Sequence, residues 1–100
     1  MLIGDSIRMG YDKAVKKSLE GIAQVYFPAE NCRFAAYTLR MLFDNRGAIA
    51  NADIIHWNNG LWDVCNLFGD GLFTSESEYV ENMLRIADIL ISRYDKVIFA

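Results

Sequence analysis

Residues 1–11, MLIGDSIRMGY, decide how the rest of the chain is read. The apolar pair Leu2-Ile3 breaks abruptly into Gly4-Asp5-Ser6, and an amphipathic segment follows within a few residues. That is the outline of a buried strand, a tight turn and the start of a helix. From Asp12 to Ile22, apolar Val15, Leu19 and Ile22 recur at helical spacing, with Lys13, Lys16, Lys17 and Glu20 on the other face. Ala23–Phe27 reads as a second strand, closed by Pro28. A second helix is predicted from near Arg33 through Leu39, Leu42 and Phe43, with Asn45-Arg46-Gly47 as its stop signal.

Asp53–Trp57 is the third predicted strand, and Asn58-Asn59-Gly60 after it is a turn signal. A loop containing Gly69, Asp70 and Gly71 leads to Ser75 and Glu78, which are spaced as a capping box. The helix beyond uses Tyr79, Met83, Ile86, Ala87 and Leu90 and is expected to stop near Tyr94. Lys96–Ala100 is a fourth strand. Strands alternating with helices predict an α/β fold around a parallel sheet. No repeat, linker or low-complexity segment interrupts the pattern.

The composition narrows the function. One hundred residues, 53% of them apolar, suffice for one small core. A net charge of −3 supplies no basic stripe, so nucleic acid is not an expected partner. No window has the ~18 apolar residues of a membrane span, so no membrane partner is expected either. Cys32 and Cys65 lack metal-ligand spacing, and there is one histidine, so neither metal nor cofactor is expected. Two unpaired thiols and the absence of a visible leader make the cytoplasm the expected compartment.

In an open parallel sheet, ligands bind beyond the carboxyl ends of the strands. There the sequence sets Gly4-Asp5-Ser6, Glu30-Asn31-Cys32-Arg33 and Asn58-Asn59-Gly60. A hydroxyl, amides near a helix start and a side-chain amide are parts for acyl transfer: a nucleophile, and donors for the oxyanion formed by its attack. A plainer reading stands beside each. Serine after a strand is a usual helix cap, and Asn-Gly is a common turn dipeptide.

LIGDSIRMGY resembles the first block of the SGNH (GDSL-type) hydrolases. Glu30–Arg33 followed by a helix is similar to the second block, and Asp53–Leu61 to the third. The resemblance covers the chain, with the blocks in the family's order. It implies a three-layer α/β/α sandwich, flavodoxin-like, with strand order 2-1-3-4. It also implies a serine ester hydrolase acting through a Ser6 acyl-enzyme on a small ester substrate, with acylated carbohydrate the analogy for residues Trp57-Asn58. Asn58 and the backbone amide of Cys32 take the oxyanion-hole positions. Asp5, Arg8, Trp57 and Trp62 are the expected substrate-binding residues, and Phe68 shares the Trp62 loop. Arg8 and Arg33 lie beside the site blocks, where they could meet an acidic substrate; solvated surface is the plainer reading of both.

The departures are specific. Cys32 stands where the family has glycine, His56 replaces the first glycine of the third block, and the Asp-x-x-His block is absent. Residues 1–100 are therefore expected to be the N-terminal part of one such domain, without its fifth strand and inactive alone. The uncovered edge of the fourth strand is expected to drive self-association. His56, two residues before Asn58 and on the same face of the strand, is the one alternative base. From another class, the same turn fits a non-catalytic flavodoxin-like module that cradles an anion.

Overall fold

The computed structural model describes residues 1–100. Its elements run β1 (Leu2–Ile3), α1 (Ser6–Ser18), α2 (Ala35–Asp44), α3 (Arg46–Ile49), β2 (Ile54–Trp57), α4 (Glu76–Ile91) and β3 (Lys96–Phe99). The three strands form a parallel sheet in the order β1-β2-β3, with Leu2 opposite His56, Ile3 opposite Trp57, and Trp57 opposite Phe99. These are the first, third and fourth strands of the sequence reading, and the chain is an α/β fold.

The predicted strand Ala23–Phe27 is not one. Its single tie to the sheet is the Leu2 N–H donating to the Tyr26 carbonyl at 2.8 Å. Two causes combine. β1 is only two residues long, so it offers little edge to pair with. Ala23, Gln24 and Tyr26 are exposed and only Val25 is buried, so burial adds little reason to extend the pairing.

Helix α1 begins six residues earlier than its apolar spacing indicates, because Asp5 caps it: Asp5 Oδ1 accepts from the Ile7 N–H at 2.9 Å. Asn45-Arg46-Gly47 does not stop the chain from coiling. Asn45 turns back with its Nδ2 on the Met41 carbonyl, and the single turn α3 follows.

The capping box is half used. Ser75 Oγ accepts from the Glu78 N–H at 3.3 Å, and Glu76 and Glu78 lie in the first turn, where the helix dipole favours negative charge. Ser75→Ala is expected to lower stability by about 1 kcal/mol, read as a lower urea midpoint at unchanged m-value.

Side chains alternate across β2. Ile55 and Trp57 point into the core, where Ile86 and Leu90 of α4 and Ala35, Met41 and Leu42 of α2 meet Ile3 and Cys32. His56 points the other way, to Tyr11 of α1, with Tyr11 Oη 3.3 Å from His56 Nδ1. The Trp57 and Phe99 rings, paired across β2 and β3, lie 4.7 Å apart. No helix is long and apolar enough to cross a membrane.

Candidate functional site

Because all three strands are parallel, the turns after them open on one edge of the sheet. There the three loops picked out in the sequence are bonded to one another. The Cys32 N–H donates to the Gly4 carbonyl at 3.1 Å, and Asn58 Nδ2 donates to Asp5 Oδ1 at 2.9 Å. Asn59 Nδ2 donates to the Arg33 carbonyl at 3.0 Å, while Asn59 Oδ1 accepts from Trp57 Nε1 at 2.6 Å. Asp63, 1% exposed, accepts the Ala35 N–H on both oxygens at 3.0 and 3.2 Å.

Ser6 is the first residue of α1 and its side chain faces solvent. Its hydroxyl bonds to nothing in the chain, and neither does its N–H, one of the four unpaired amides at a helix start. The Asn58 amide is bonded to Asp5, the residue just before Ser6. Only one of the two Asn58 Nδ2 hydrogens is used there, and its buried Oδ1 has no partner. The edge thus offers an exposed hydroxyl, a free backbone N–H at the positive end of a 13-residue helix, and a side-chain amide held by a carboxylate. Those groups suit a negatively charged oxygen.

Several expected roles need correction. The Cys32 amide is not a free donor, since Gly4 O occupies it. The left-handed backbone falls on Arg33 (φ 52°) rather than on Cys32; the Asn31 side chain supports it by accepting the Arg33 N–H at 2.7 Å. Burial pushes the Cys32 thiol up, so at neutral pH it stays protonated within the core. Ser6 does not cap α1; Asp5 does.

Asp5 is fully buried and its Oδ1 is spent on Ile7 and Asn58, so it shapes the turn instead of touching a substrate. Arg8 is also fully buried, paired with Asp12 at 2.8 Å, and cannot meet a substrate acid. Trp57 is 4% exposed and belongs to the core. Trp62, by contrast, is 38% exposed on the loop that follows Asn58. Phe68 is 84% exposed farther along that loop, and Arg33 lies over the Tyr37 ring at 4.7 Å.

His56 does not serve Ser6. It is level with Leu2, four residues before the serine, and its Nδ1 is engaged by Tyr11 on the far side of the sheet from Trp57. It lines a largely apolar cavity of about 580 Å³ with Leu2, Val15, Leu19 and Ile54, at the opposite end of the strands.

The amides near the helix start were legible in the sequence; that the Ser6 N–H is the free one depends on Asp5 taking Ile7 instead. One participant was missed. Asp63 has no local signal at all, because the helix it caps begins 28 residues upstream. A scan against protein-family models, a search of curated proteins and a search of solved structures each found no match to this chain.

Proposed function

We propose that the Ser6 edge is the nucleophile and oxyanion-binding half of an SGNH-type serine ester hydrolase. The observation that carries the reading is an exposed, unbonded Ser6 hydroxyl next in the chain to Asp5, whose carboxylate holds the Asn58 amide. The likeness of the three blocks to that family supports it. In this reading the fold is the flavodoxin-like sandwich, with Ala23–Phe27 in the outer place beside β1 without forming a ladder. Residues 1–100 are the N-terminal part of the domain.

Ser6 Oγ attacks the ester carbonyl carbon while a base takes its proton. The tetrahedral oxyanion is held by the Ser6 N–H and the second hydrogen of Asn58 Nδ2. The alcohol departs with the proton, leaving an acyl-serine. Water then attacks that ester, releases the acid and restores Ser6. The base belongs to an Asp-x-x-His segment outside these residues, because no base meets Ser6 within them. A small acyl group on a carbohydrate is the proposed substrate, with exposed Trp62 as the surface for a sugar face.

The test is a fluorophosphonate probe on the full gene product that carries these residues. The expected result is a covalent adduct at Ser6, abolished by Ser6→Ala. Asn58→Ala is expected to lower kcat by roughly 10²–10³ with little change in KM. No adduct at Ser6 would overturn the hydrolase and leave the anion-cradling module, which the free Ser6 N–H also fits. The isolated 100-residue chain is expected to hydrolyse nitrophenyl acetate no faster than its Ser6→Ala variant. Ser6-dependent turnover there would require a base inside it, and loss of that turnover in His56→Ala would identify it.

A further inference from the structure

Arg8 stands in the first turn of α1, yet its guanidinium serves a loop twenty residues on. Nη1 donates to Asp12 Oδ2 at 2.8 Å and to the Pro28 carbonyl at 2.9 Å, and Nη2 donates to the Glu30 carbonyl at 2.6 Å. The Phe27 ring centre lies 5.8 Å from its Cζ. The residue is 0% exposed and Asp12 is 4% exposed. A buried cation demands a counter-charge, and Asp12 one turn along supplies it. That pairing alone does not explain two further bonds to backbone carbonyls of a separate loop.

We propose that Arg8 is a positioning residue whose fork holds the Pro28–Cys32 loop against the Ser6 turn. The loop is gripped at both ends. Arg8 takes the carbonyls of Pro28 and Glu30, and the Gly4 carbonyl takes the Cys32 N–H. Since Arg8 and Ser6 lie on the same helix, the loop and the serine are referred to one rigid element. A planar fork is needed because the two carbonyls are met by two different nitrogens. The ammonium of a lysine is a point donor and cannot reproduce that spread. The relevance of this clamp to catalysis rests on the hydrolase reading; the clamp itself does not.

The experiment compares Arg8→Lys with Asp12→Asn by amide hydrogen exchange, reading Cys32 in the loop against Ile86 and Leu90 in the core. In Arg8→Lys the Cys32 amide is expected to exchange roughly tenfold faster or more, while Ile86 and Leu90 keep their rates, as local opening requires. In a Cys65→Ser background the buried Cys32 thiol should react correspondingly faster with a disulfide reagent. Asp12→Asn keeps both carbonyl bonds but strips the buried Arg8 of its counter-charge, so it should lower global stability and speed exchange at Cys32, Ile86 and Leu90 together.

Three results would overturn the proposal. The first is an unchanged Cys32 amide in Arg8→Lys. The second is equal acceleration at Ile86 and Leu90, which would make Arg8 a general core stabiliser. The third is an Asp12→Asn effect confined to the Cys32 amide, which would assign the hold on the loop to the ion pair and not to the fork. In a gene product with Ser6-dependent turnover, Arg8→Lys is further expected to lower kcat roughly tenfold at nearly constant KM, as displaced positioning groups do. An unchanged kcat despite a loosened loop would remove Arg8 from the site's positioning. Absence of turnover in the parent protein would overturn the hydrolase while exchange still decides the clamp.

Discussion

Gly4→Ala is expected to cost about 3 kcal/mol of stability, the upper range of overpacking a closed site. The reason is not backbone freedom, since Gly4 is not among the glycines with positive φ. It is space. A methyl group at Gly4 would overlap Asn58 Oδ1 and Cγ, and would press on Arg8 Cβ at 3.0 Å. None of the three can retreat cheaply. Asn58 is bonded to Asp5 and carries the end of β2, and Arg8 is fixed by three hydrogen bonds. The variant should therefore show a lower urea midpoint, and its Asn58 side-chain amide resonances should shift as the Asp5 bond is disturbed. Parent-like stability with unshifted Asn58 resonances would show that the amide does not rest on the Gly4 backbone. Because Asn58 is the proposed oxyanion donor, the same substitution should remove any Ser6-dependent activity.

Asp63→Ala is expected to cost about 2–3 kcal/mol. Removing a cap accounts for about 1 kcal/mol, and the now unpaired, buried Ala35 N–H adds a desolvation penalty of similar size. No other side chain can replace Asp63: Phe34, at the cap position itself, has no side-chain acceptor. Asp63→Asn keeps one acceptor oxygen and should recover about half of the loss while forfeiting the charge at the positive helix end. Urea unfolding of both variants measures this, and equal stability of Asp63→Ala and the parent would dissolve the assigned cap. The loss should be felt at the site as well. Asp63 joins the loop after β2 to the helix that follows Cys32 and Arg33, alongside the Asn59 bond to the Arg33 carbonyl.

Both substitutions act where residues far apart in sequence meet, and this separates what could be read from what could not. Apolar spacing announced α4, and Ser75 three residues before Glu78 announced its start, because a cap and its helix are neighbours in sequence. The run Ile54–Trp57 and the Asn58-Asn59-Gly60 turn announced β2 and its end for the same reason. Alternation of such segments determined a parallel α/β arrangement, and with it the single edge on which the Ser6, Cys32 and Asn58 loops converge. The outer segment Ala23–Phe27 had the pattern of a strand, but whether a pattern becomes a ladder depends on the neighbour. Two residues of β1 were too few.

The tertiary structure alone decided the state of each polar group at that edge. Arg8, on the inward face of α1 with Asp12 and Val15, is a cation buried there because Asp12, Pro28 O and Glu30 O, up to 22 residues away, satisfy it. The Cys32 amide was taken by Gly4 O, and Asp63 found Ala35. Asp5 bound Asn58 across 53 residues. Residue type states what a side chain can donate or accept, and spacing states which face it occupies. Burial then penalises every donor and acceptor left without a partner. Which groups end up paired, and which are left free beside Ser6, is settled only when the distant loops close on one another.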